Sequence, residues 1–248
     1  MRNNEWLVSK LNYFFSAYSI KKIDTLCVIC ILSDLLCLLL LELVDMDKIH
    51  ITIEGNIGVG KSTVMKNIYE HFEKNSDISF AWEPVDEWEK AGFLEGMYDG
   101  SIPHTEFQYM VLSNMFSITC SWLLNSRILI QERSMDSAFE VFARSNIDPG
   151  IQFDMIENCY NKLKALLPVK TSRIYLRASP RFSLSRINKR ARSAENSISR
   201  EYLSKINTKY EEWLGSNAHD NTTIIDASGD IDTVTDHVIR VISDLIKS

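Results

Sequence analysis

The chain has 248 residues, of which 45% are hydrophobic and 24% are charged. This composition is typical of a globular protein with a sizeable core, and it excludes a disordered or collagen-like chain. The 27 lysine and arginine residues are outnumbered by 33 aspartate and glutamate residues, which gives a net charge of −6. Because nucleic-acid binding needs a basic face, we expect no nucleic-acid partner, whereas a few clustered arginines would suffice for a small anionic ligand.

An apolar run occupies residues 25–44, near the start of the chain. Twenty helical residues would span about 30 Å, which is the hydrocarbon thickness of a bilayer. Asp34 stands in the middle of this run, however, and one central aspartate costs about 2.5–3.5 kcal/mol of insertion free energy. The positive-inside rule, applied to Lys21 and Lys22, would also place the rest of the chain on the side without ATP. Membrane contact of residues 25–44 is therefore an alternative that we do not favour.

The chain is predicted to divide near residue 46. We expect residues 1–45 to be a dispensable N-terminal extension, with a membrane anchor or a docked helix as alternatives, and residues 46–248 to form one globular domain. Five cysteines, an odd number in a long chain, indicate a reducing compartment rather than a disulfide framework. We therefore expect a cytoplasmic protein.

The globular part alternates short β-branched stretches with longer segments of helical periodicity. Strands are predicted at residues 50–54, 78–82, 127–131, 173–177 and 222–226. Helices are predicted at about residues 62–74, 104–124, 135–145, 150–167, from 180 onward, 199–213 and 231–246. Strands separated by helices imply crossover connections, so the pattern predicts an α/β fold in which a five-stranded parallel sheet lies between two layers of helices.

Residues 55–62 read GNIGVGKS and match the pattern G-x-x-x-x-G-K-[ST]. The match lies between a predicted strand and a predicted helix, which is the setting of the phosphate-binding loop in P-loop NTPases. Glycines let backbone N–H groups approach phosphates, Lys61 reaches the β- and γ-phosphates, and the Ser62 hydroxyl binds Mg²⁺. The loop therefore predicts a P-loop NTPase fold that binds ATP with Mg²⁺, through Gly55, Asn56, Ile57, Gly58, Val59, Gly60, Lys61, Ser62 and Thr63.

Charged residues stand where two further strands end. Glu83 follows the second predicted strand, and Glu132 and Arg133 close the third. In an open parallel sheet, ligands bind outside the carboxyl ends of the strands, so we expect these residues beside the phosphate loop. Glu83 is placed there as a general base, while Glu132 and Arg133 are suited to Mg²⁺ and to phosphate charge respectively.

Residues 186–195 read RINKRARSAE and concentrate positive charge in an acidic chain. Such a cluster is often a solvated helix face. Beside a phosphate loop it can instead close over a triphosphate as a lid, where arginine neutralises charge in the transition state. We expect an arginine-rich lid in which Arg190 and Arg192 contact ATP.

Together these segments resemble the deoxynucleoside kinase family, which includes cellular thymidine, deoxycytidine and deoxyguanosine kinases. The resemblance covers about residues 48–215 and rests on the ordered motifs IEGNIGVGKST, EPVDEW, FQYMVL, QERSMDSAFEVF, IYLRASP, INKRARSAEN and KYEEWL. It implies ATP-dependent phosphorylation of the 5′-hydroxyl of a deoxynucleoside, with Mg²⁺ as cofactor. It also implies a homodimer built from the long helices at about 104–124 and 150–167.

The resemblance implies roles for the reacting groups. Glu83 matches the base that takes the proton of the 5′-hydroxyl, and Arg133 matches the residue that orients both Glu83 and that hydroxyl. Glu132 would help to hold Mg²⁺ through water. Arg190 and Arg192 match the arginines of the lid.

The resemblance also implies a nucleoside site. Trp88 and Phe142 match the aromatic residues that sandwich the base, and Gln108 matches the glutamine that hydrogen-bonds its edge. Tyr98 and Glu195 match the groups that bind the 3′-hydroxyl.

Two positions depart from the branch of the family that phosphorylates deoxycytidine and purine nucleosides. Ala138 stands where that branch has aspartate, and Met115 stands where it has arginine. The smaller or apolar residues leave room for the methyl group of thymine, which favours thymidine with deoxycytidine as a further acceptor. A methyl group discriminates by only about 1–3 kcal/mol, so we do not expect strict specificity.

Two other functions fit parts of the sequence. A thymidylate kinase shares the phosphate loop and a lid, but it normally carries Asp-Arg where this chain has Glu132 and Arg133, and it lacks the E-P-x-x-x-W arrangement. A nucleotide-binding regulator without turnover would fit the apolar run, but it would not need aromatic residues and Gln108 around a base-sized pocket. Both functions stay as alternatives to a deoxynucleoside kinase.

Overall fold

The computed structural model describes residues 48–167, 169–190, 192, 195, 198–215 and 221–247. The predicted extension at residues 1–45, with its apolar run, lies outside these residues, so its role and the boundary near residue 46 stay predictions. Within the described ranges, no helix combines the length and the apolar character that crossing a bilayer requires.

A five-stranded parallel sheet forms the centre of the described domain. Its strands are β1 (Ile49–Gly55), β2 (Ile78–Ala81), β3 (Ile128–Glu132), β4 (Thr171–Arg177) and β5 (Thr222–Asp226). They are arranged in the order β2-β3-β1-β4-β5, so β1 lies in the middle and β2 at one edge. The strand predictions are confirmed, each to within two residues of its observed bounds.

Helices precede or follow each strand along the chain. They are α1 (Lys61–Phe72), α2 (Val85–Lys90), α3 (Phe93–Asp99), α4 (His104–Asn125), α5 (Met135–Ser137), a π-helix (Ala138–Ala143), α6 (Arg144–Asn146), α7 (Ile151–Ala165), α8 (Pro180–Arg190), α9 (Arg200–Leu214) and α10 (Ile231–Lys247). Ser199 caps α9 as predicted, because its side chain accepts a hydrogen bond from the backbone N–H of Tyr202.

The sequence did not predict two features of the helices. The short helices α2 and α3 were not predicted, and α3 has only seven residues between two glycines in the left-handed conformation, Gly92 and Gly100, so it is too short to show periodicity. The prediction of one α-helix at residues 135–145 was wrong in detail, because the middle of this segment is a π-helix. The i→i+5 hydrogen bonding of a π-helix leaves no signal in an apolar pattern, and such turns are frequent at functional sites.

Side chains alternate across the strands and give the sheet two apolar faces. Ile51 and Ile53 of β1 pack on one face with residues of α1 and α10. On the other face, Tyr175 of β4 packs with α9, and Leu129 of β3 packs with α4. Helices therefore cover both faces, and the predicted three-layer α/β fold is confirmed.

Ile242 tests the packing of α10 on the sheet, since its side chain is fully buried in that cluster. We expect Ile242→Ala to lower the free energy of unfolding by about 2–4 kcal/mol, because it leaves a cavity in the core. Asp244→Ala, at an exposed position of the same helix, is the control and should change it by less than about 0.5 kcal/mol. Urea denaturation measures both variants, and equal effects would contradict the packing.

Candidate active site

The phosphate-binding loop joins β1 to α1 and takes its shape from glycine. Gly58 and Gly60 have φ angles of 75° and 109°, in the left-handed region where other residues are strained. A β-carbon on Gly58 would also lie 2.7 Å from the carbonyl oxygen of Ser183 in α8. Gly60 precedes α1 and no side chain among the residues that the structure describes caps that end, so the N–H groups of its first turn can bind an anion.

Lys61 is buried beside this loop. Its Nζ donates hydrogen bonds to the carbonyl oxygens of Gly55 and Asn56 at 3.2 and 3.0 Å. Burial lowers the pKa of Lys61 to about 8, and the positive charge of Arg133 adds to the effect. The charged lysine therefore lacks full compensation in the unliganded protein, which suits it to receive a phosphate.

Ser62 and Glu132 form the part of the site that fits a metal ion. The Ser62 hydroxyl donates a hydrogen bond to Glu132 Oε1 at 2.8 Å. Burial raises the pKa of Glu132, and the charge of Lys61 opposes that effect. No cluster of three or more His, Cys, Asp or Glu side chains within the described residues could hold a metal ion by itself. Magnesium bound to nucleotide phosphates needs only one or two protein ligands, so this hydroxyl and carboxylate are sufficient for it.

Glu83 and Arg133 form an ion pair where β2 and β3 end. Arg133 Nε donates to Glu83 Oε2 at 2.8 Å, and the two side chains are 6% and 16% exposed, respectively. Arg133 Nη1 also donates to the carbonyl oxygen of Gly55 at 3.1 Å, and its guanidinium lies 4.6 Å from the centre of the Phe142 ring. Because Gly55 begins the phosphate loop, Arg133 links the candidate base to that loop.

A cleft of about 820 Å³ opens beside this ion pair, and we call it the nucleoside cleft after the ligand predicted for its lining residues. Its lining includes every residue that the sequence predicts for a nucleoside: Glu83, Trp88, Tyr98, Gln108, Met115, Arg133, Ala138, Phe142 and Glu195. Gln108 is buried, and its carboxamide oxygen has no hydrogen-bond partner within the described residues. An unsatisfied buried acceptor costs about 1–3 kcal/mol, so the cleft favours a ligand that donates a hydrogen bond there. The roles of these residues stay predictions.

A second cleft of about 800 Å³, the phosphate cleft, adjoins the phosphate loop. It is lined by Gly58, Gly60, Lys61, Ser62, Thr63, Arg186, Lys189, Arg190 and Ile231, and its basic side chains suit a polyphosphate. Ile57 lines the nucleoside cleft instead. Asn56 and Val59 support the loop, since Asn56 Nδ2 donates to the carbonyl oxygen of Leu203 at 2.9 Å and Val59 is buried.

The predicted lid begins in the last turns of α8, and Arg192 and Glu195 are its described residues beyond that helix. Arg190 Nη2 lies 2.6 Å from Glu195 Oε1, and Arg192 Nη2 lies 2.8 Å from Asp86 Oδ1 in α2. Arg192 Nε is also 3.5 Å from Glu89 Oε2. Both predicted lid arginines are therefore paired with carboxylates, and both line the nucleoside cleft.

Residues 51–247 match the family model of deoxynucleoside kinases. The chain belongs to the deoxynucleoside kinase family. It is thus a nucleoside kinase, and its substrates are a nucleoside and a nucleotide.

Several kinases are similar in sequence to this deoxynucleoside kinase over most of their length. The thymidine kinase of ictalurid herpesvirus 1 (strain Auburn) is 30% identical over 198 residues, which cover 77% of this chain and 84% of the viral protein. The deoxyadenosine/deoxycytidine kinase of Bacillus subtilis (strain 168) is 27% identical over 209 residues, which cover 78% of this chain and 93% of that protein. A solved structure of deoxyadenosine kinase from M. mycoides, with products dCMP and a flexible dCDP bound, matches with a TM-score of 0.64 and 25% identity, over 79% of this chain and 100% of that one.

The structure adds residues to the kinase site that the sequence did not indicate. Asn146 and Tyr202 line the nucleoside cleft, and Asn146 Nδ2 donates to the Tyr202 hydroxyl at 3.0 Å. Glu54 and Tyr210 lie behind Arg133 and are fully buried. Tyr210 stands in the KYEEWL motif and Glu54 is the last residue but one of β1, but only the fold brings both to Arg133.

Because the pKa of Lys61 is lowered in the folded protein, the free energy of unfolding should depend on pH. Without nucleotide, the buried charge of Lys61 destabilises the folded kinase below pH 8, and the penalty disappears as pH rises towards 10.5, where the unfolded chain also loses the proton. We expect Lys61→Met to stabilise the unliganded protein at pH 7, by roughly 1–3 kcal/mol, and to lose this advantage by about pH 10.

Urea denaturation at a series of pH values measures the effect of Lys61→Met. Lys66→Met, at an exposed position of α1, is the control and should change stability little at any pH in this range. A difference between wild type and Lys61→Met that stays constant from pH 7 to 10 would contradict the burial of this charge.

Proposed function

We propose that this kinase transfers the γ-phosphoryl group of ATP to the 5′-hydroxyl of a deoxynucleoside, with thymidine as the favoured acceptor and deoxycytidine as a further one. The observation that carries the proposal is the buried carboxamide oxygen of Gln108, which lies in a cleft beside the phosphate loop and has no hydrogen-bond partner in the described part of the chain. Thymine offers an N3–H donor and cytosine a 4-amino donor at the edge of the ring, so either base would satisfy this oxygen.

Aromatic side chains support a planar ligand next to Gln108. Trp88 is 4% exposed and packs edge-on against Phe107, with 5.5 Å between the ring centroids. Phe142 lines the same cleft and lies under the Arg133 guanidinium. Stacking of a base on an aromatic ring contributes about 1–3 kcal/mol, and it favours a nucleoside over a sugar alone.

The reaction assigned to Glu83 is removal of a proton. As the 5′-hydroxyl oxygen attacks the γ-phosphorus of ATP, its proton passes to Glu83 and ADP leaves with the electrons of the broken bond. Arg133 holds Glu83 in place through their 2.8 Å contact. Tyr98 and Glu195, which line the same cleft, are the proposed partners of the 3′-hydroxyl.

Charge on the transferred group is stabilised by the basic side chains of the two clefts. Lys61 carries its ammonium beside the loop, and a phosphate there would favour its charged form. Arg190 and Arg192 must exchange their carboxylate partners for phosphate oxygens to play the same part. Ser62 and Glu132 would hold Mg²⁺, which neutralises phosphate charge when it is bound with ATP.

The preference for thymidine rests on the apolar side of the cleft. Met115 and Ala138 are 1% and 4% exposed, and both line the nucleoside cleft. This surface suits the methyl group of thymine, and the similar viral thymidine kinase supports that acceptor. The similar kinase of Bacillus subtilis is named for deoxycytidine, and the similar kinase of M. mycoides has dCMP bound. Both support deoxycytidine as the second acceptor.

We also propose a homodimer formed through α4 and α7, and a cytoplasmic location. Ile151 and Met155 of α7 are 80% and 55% exposed, which leaves apolar surface for a second copy. The odd number of cysteines and the use of ATP support the cytoplasm.

Replacing the proposed base tests the reaction. Glu83→Gln keeps the shape of the side chain but cannot take the proton, so kcat for thymidine should fall about 10²–10⁴-fold while the Kd of thymidine changes only a few-fold. Labelled ATP measures turnover, and calorimetry measures binding. Glu87→Gln, at an exposed position of α2, is the control and should keep wild-type turnover.

The same assay, with all four deoxynucleosides and thymidine monophosphate as acceptors, separates the candidate functions. Phosphorylation of thymidine monophosphate but not of thymidine would favour a thymidylate kinase. Binding of nucleotide with no transfer to any acceptor would favour a regulator. Near-normal kcat in Glu83→Gln would refute the base assignment.

Changing the apolar side of the cleft tests the proposed preference. Met115→Arg combined with Ala138→Asp removes the room for a methyl group, so we expect the ratio of kcat/KM for thymidine to that for deoxycytidine to fall about tenfold or more. Steady-state kinetics with both nucleosides give this ratio, which is insensitive to a loss of active protein. An unchanged ratio would contradict the placement of the thymine methyl group against these two residues.

A further inference from the structure

A buried carboxylate, Glu54, lies at the carboxyl end of β1, behind Arg133. Its side chain is 0% exposed, although a charged group is seldom fully buried without a partner. Glu54 Oε1 accepts a hydrogen bond from Ser134 Oγ at 2.6 Å, and Oε2 accepts one from Tyr210 Oη at 3.4 Å. Burial raises the pKa of Glu54, while the bond from Ser134 opposes that effect. The proposed reaction does not use this group, so its burial needs another explanation.

Tyr210 connects Glu54 to Arg133. Arg133 Nη1 donates a hydrogen bond to Tyr210 Oη at 2.6 Å. A tyrosine hydroxyl that accepts from a guanidinium directs its own proton elsewhere, and Glu54 Oε2 lies within reach of it. The Tyr210 ring is 0% exposed and stacks on Tyr175 with 5.4 Å between centroids, so the hydroxyl is held towards Arg133.

Arg133 therefore has a carboxylate on each side. Glu83 contacts its Nε from the nucleoside cleft, and Glu54 is linked to its Nη1 through Tyr210 from the interior. In the proposed reaction Glu83 takes a proton and loses its charge, so its attraction for Arg133 weakens in that step. Glu54 and Tyr210 do not line the nucleoside cleft, so their contacts with Arg133 persist through it.

The backbone of Arg133 adds to the need for such contacts. Its φ angle is 61°, in the left-handed region that a non-glycine residue adopts only under strain. Strained residues persist where the surrounding structure holds them, and they concentrate at active sites. The hydrogen bonds of the side chain to Gly55 and Tyr210 hold Arg133 independently of its contact with Glu83.

We propose that Tyr210 and Glu54 form a rear anchor that keeps Arg133 in place while Glu83 changes its charge during turnover. Both are positioning residues, since they act through Arg133. The inference rests on the proposed function, because it requires Glu83 to accept the proton. It deepens that function by assigning two buried residues, far apart in sequence, to the transfer step.

Removing one hydroxyl tests the rear anchor. Tyr210→Phe keeps the ring and removes the bond to a charged partner, so kcat should fall about 10–100-fold while KM for thymidine and for ATP changes less than about threefold. Tyr175→Phe is the matched control. It removes the hydroxyl of the other ring in the same stacked pair, but that hydroxyl bonds the half-buried Glu211 at 2.8 Å instead of Arg133. It should keep kcat within about threefold of wild type, with a similar loss of thermal stability.

A double-mutant cycle separates positioning from a general loss of structure. In the Glu83→Gln background the partner of Arg133 takes no proton and changes no charge during turnover, so adding Tyr210→Phe should lower the residual single-turnover rate less than about threefold. A structural defect would instead lower the rate by the same factor in both backgrounds. Glu54→Gln, which removes the charge but keeps an acceptor oxygen, should lower kcat with the same dependence on Glu83.

The outcomes distinguish this inference from the function on which it rests. Equal factors for Tyr210→Phe in the two backgrounds, or a loss no larger than that of Tyr175→Phe, would overturn the rear anchor and leave Glu83 as the base. Wild-type kcat in Glu54→Gln would overturn the part assigned to Glu54. Wild-type kcat in Glu83→Gln would overturn the proposed reaction itself, and the rear anchor with it.

Discussion

The contact between Arg133 and Glu83 is the interaction on which the site depends. It joins the ends of two neighbouring strands, and through the carbonyl oxygen of Gly55 it also reaches the end of a third. A parallel sheet brings these strand ends to one edge, so groups that are 78 residues apart in sequence meet there. The phosphate loop, the candidate base and the arginine are thereby fixed relative to one another by the backbone of the sheet.

Much of this arrangement was predictable because its signals are local. The phosphate loop is one contiguous stretch, the strands are short apolar runs, and Glu83, Glu132 and Arg133 directly follow two of those runs. Given a parallel sheet, their convergence follows from topology alone. Residues on helices, such as Gln108 and Phe142, were placed through the family resemblance, since no local pattern shows which helix face meets a cleft.

Other features depend on contacts that no local pattern encodes. Tyr210 is 77 residues from Arg133, and their hydrogen bond requires α9 to dock on the sheet beside β4. The π-helix escaped prediction because apolar periodicity does not register an extra residue in one turn. The pairing of Arg192 with Asp86 also escaped it, because the two residues are 106 positions apart in sequence.

The strand that carries Glu83 to the site is also the one with the least support. β2 has four residues, lies at the edge of the sheet and, of the strands in the described residues, pairs only with β3. Edge segments with few neighbours are the first to open in local fluctuations, well before the central strands unfold. The site should therefore lose its activity before the domain unfolds. Mild heat or low denaturant would separate the Glu83 carboxylate from Arg133 while the rest of the sheet remains intact.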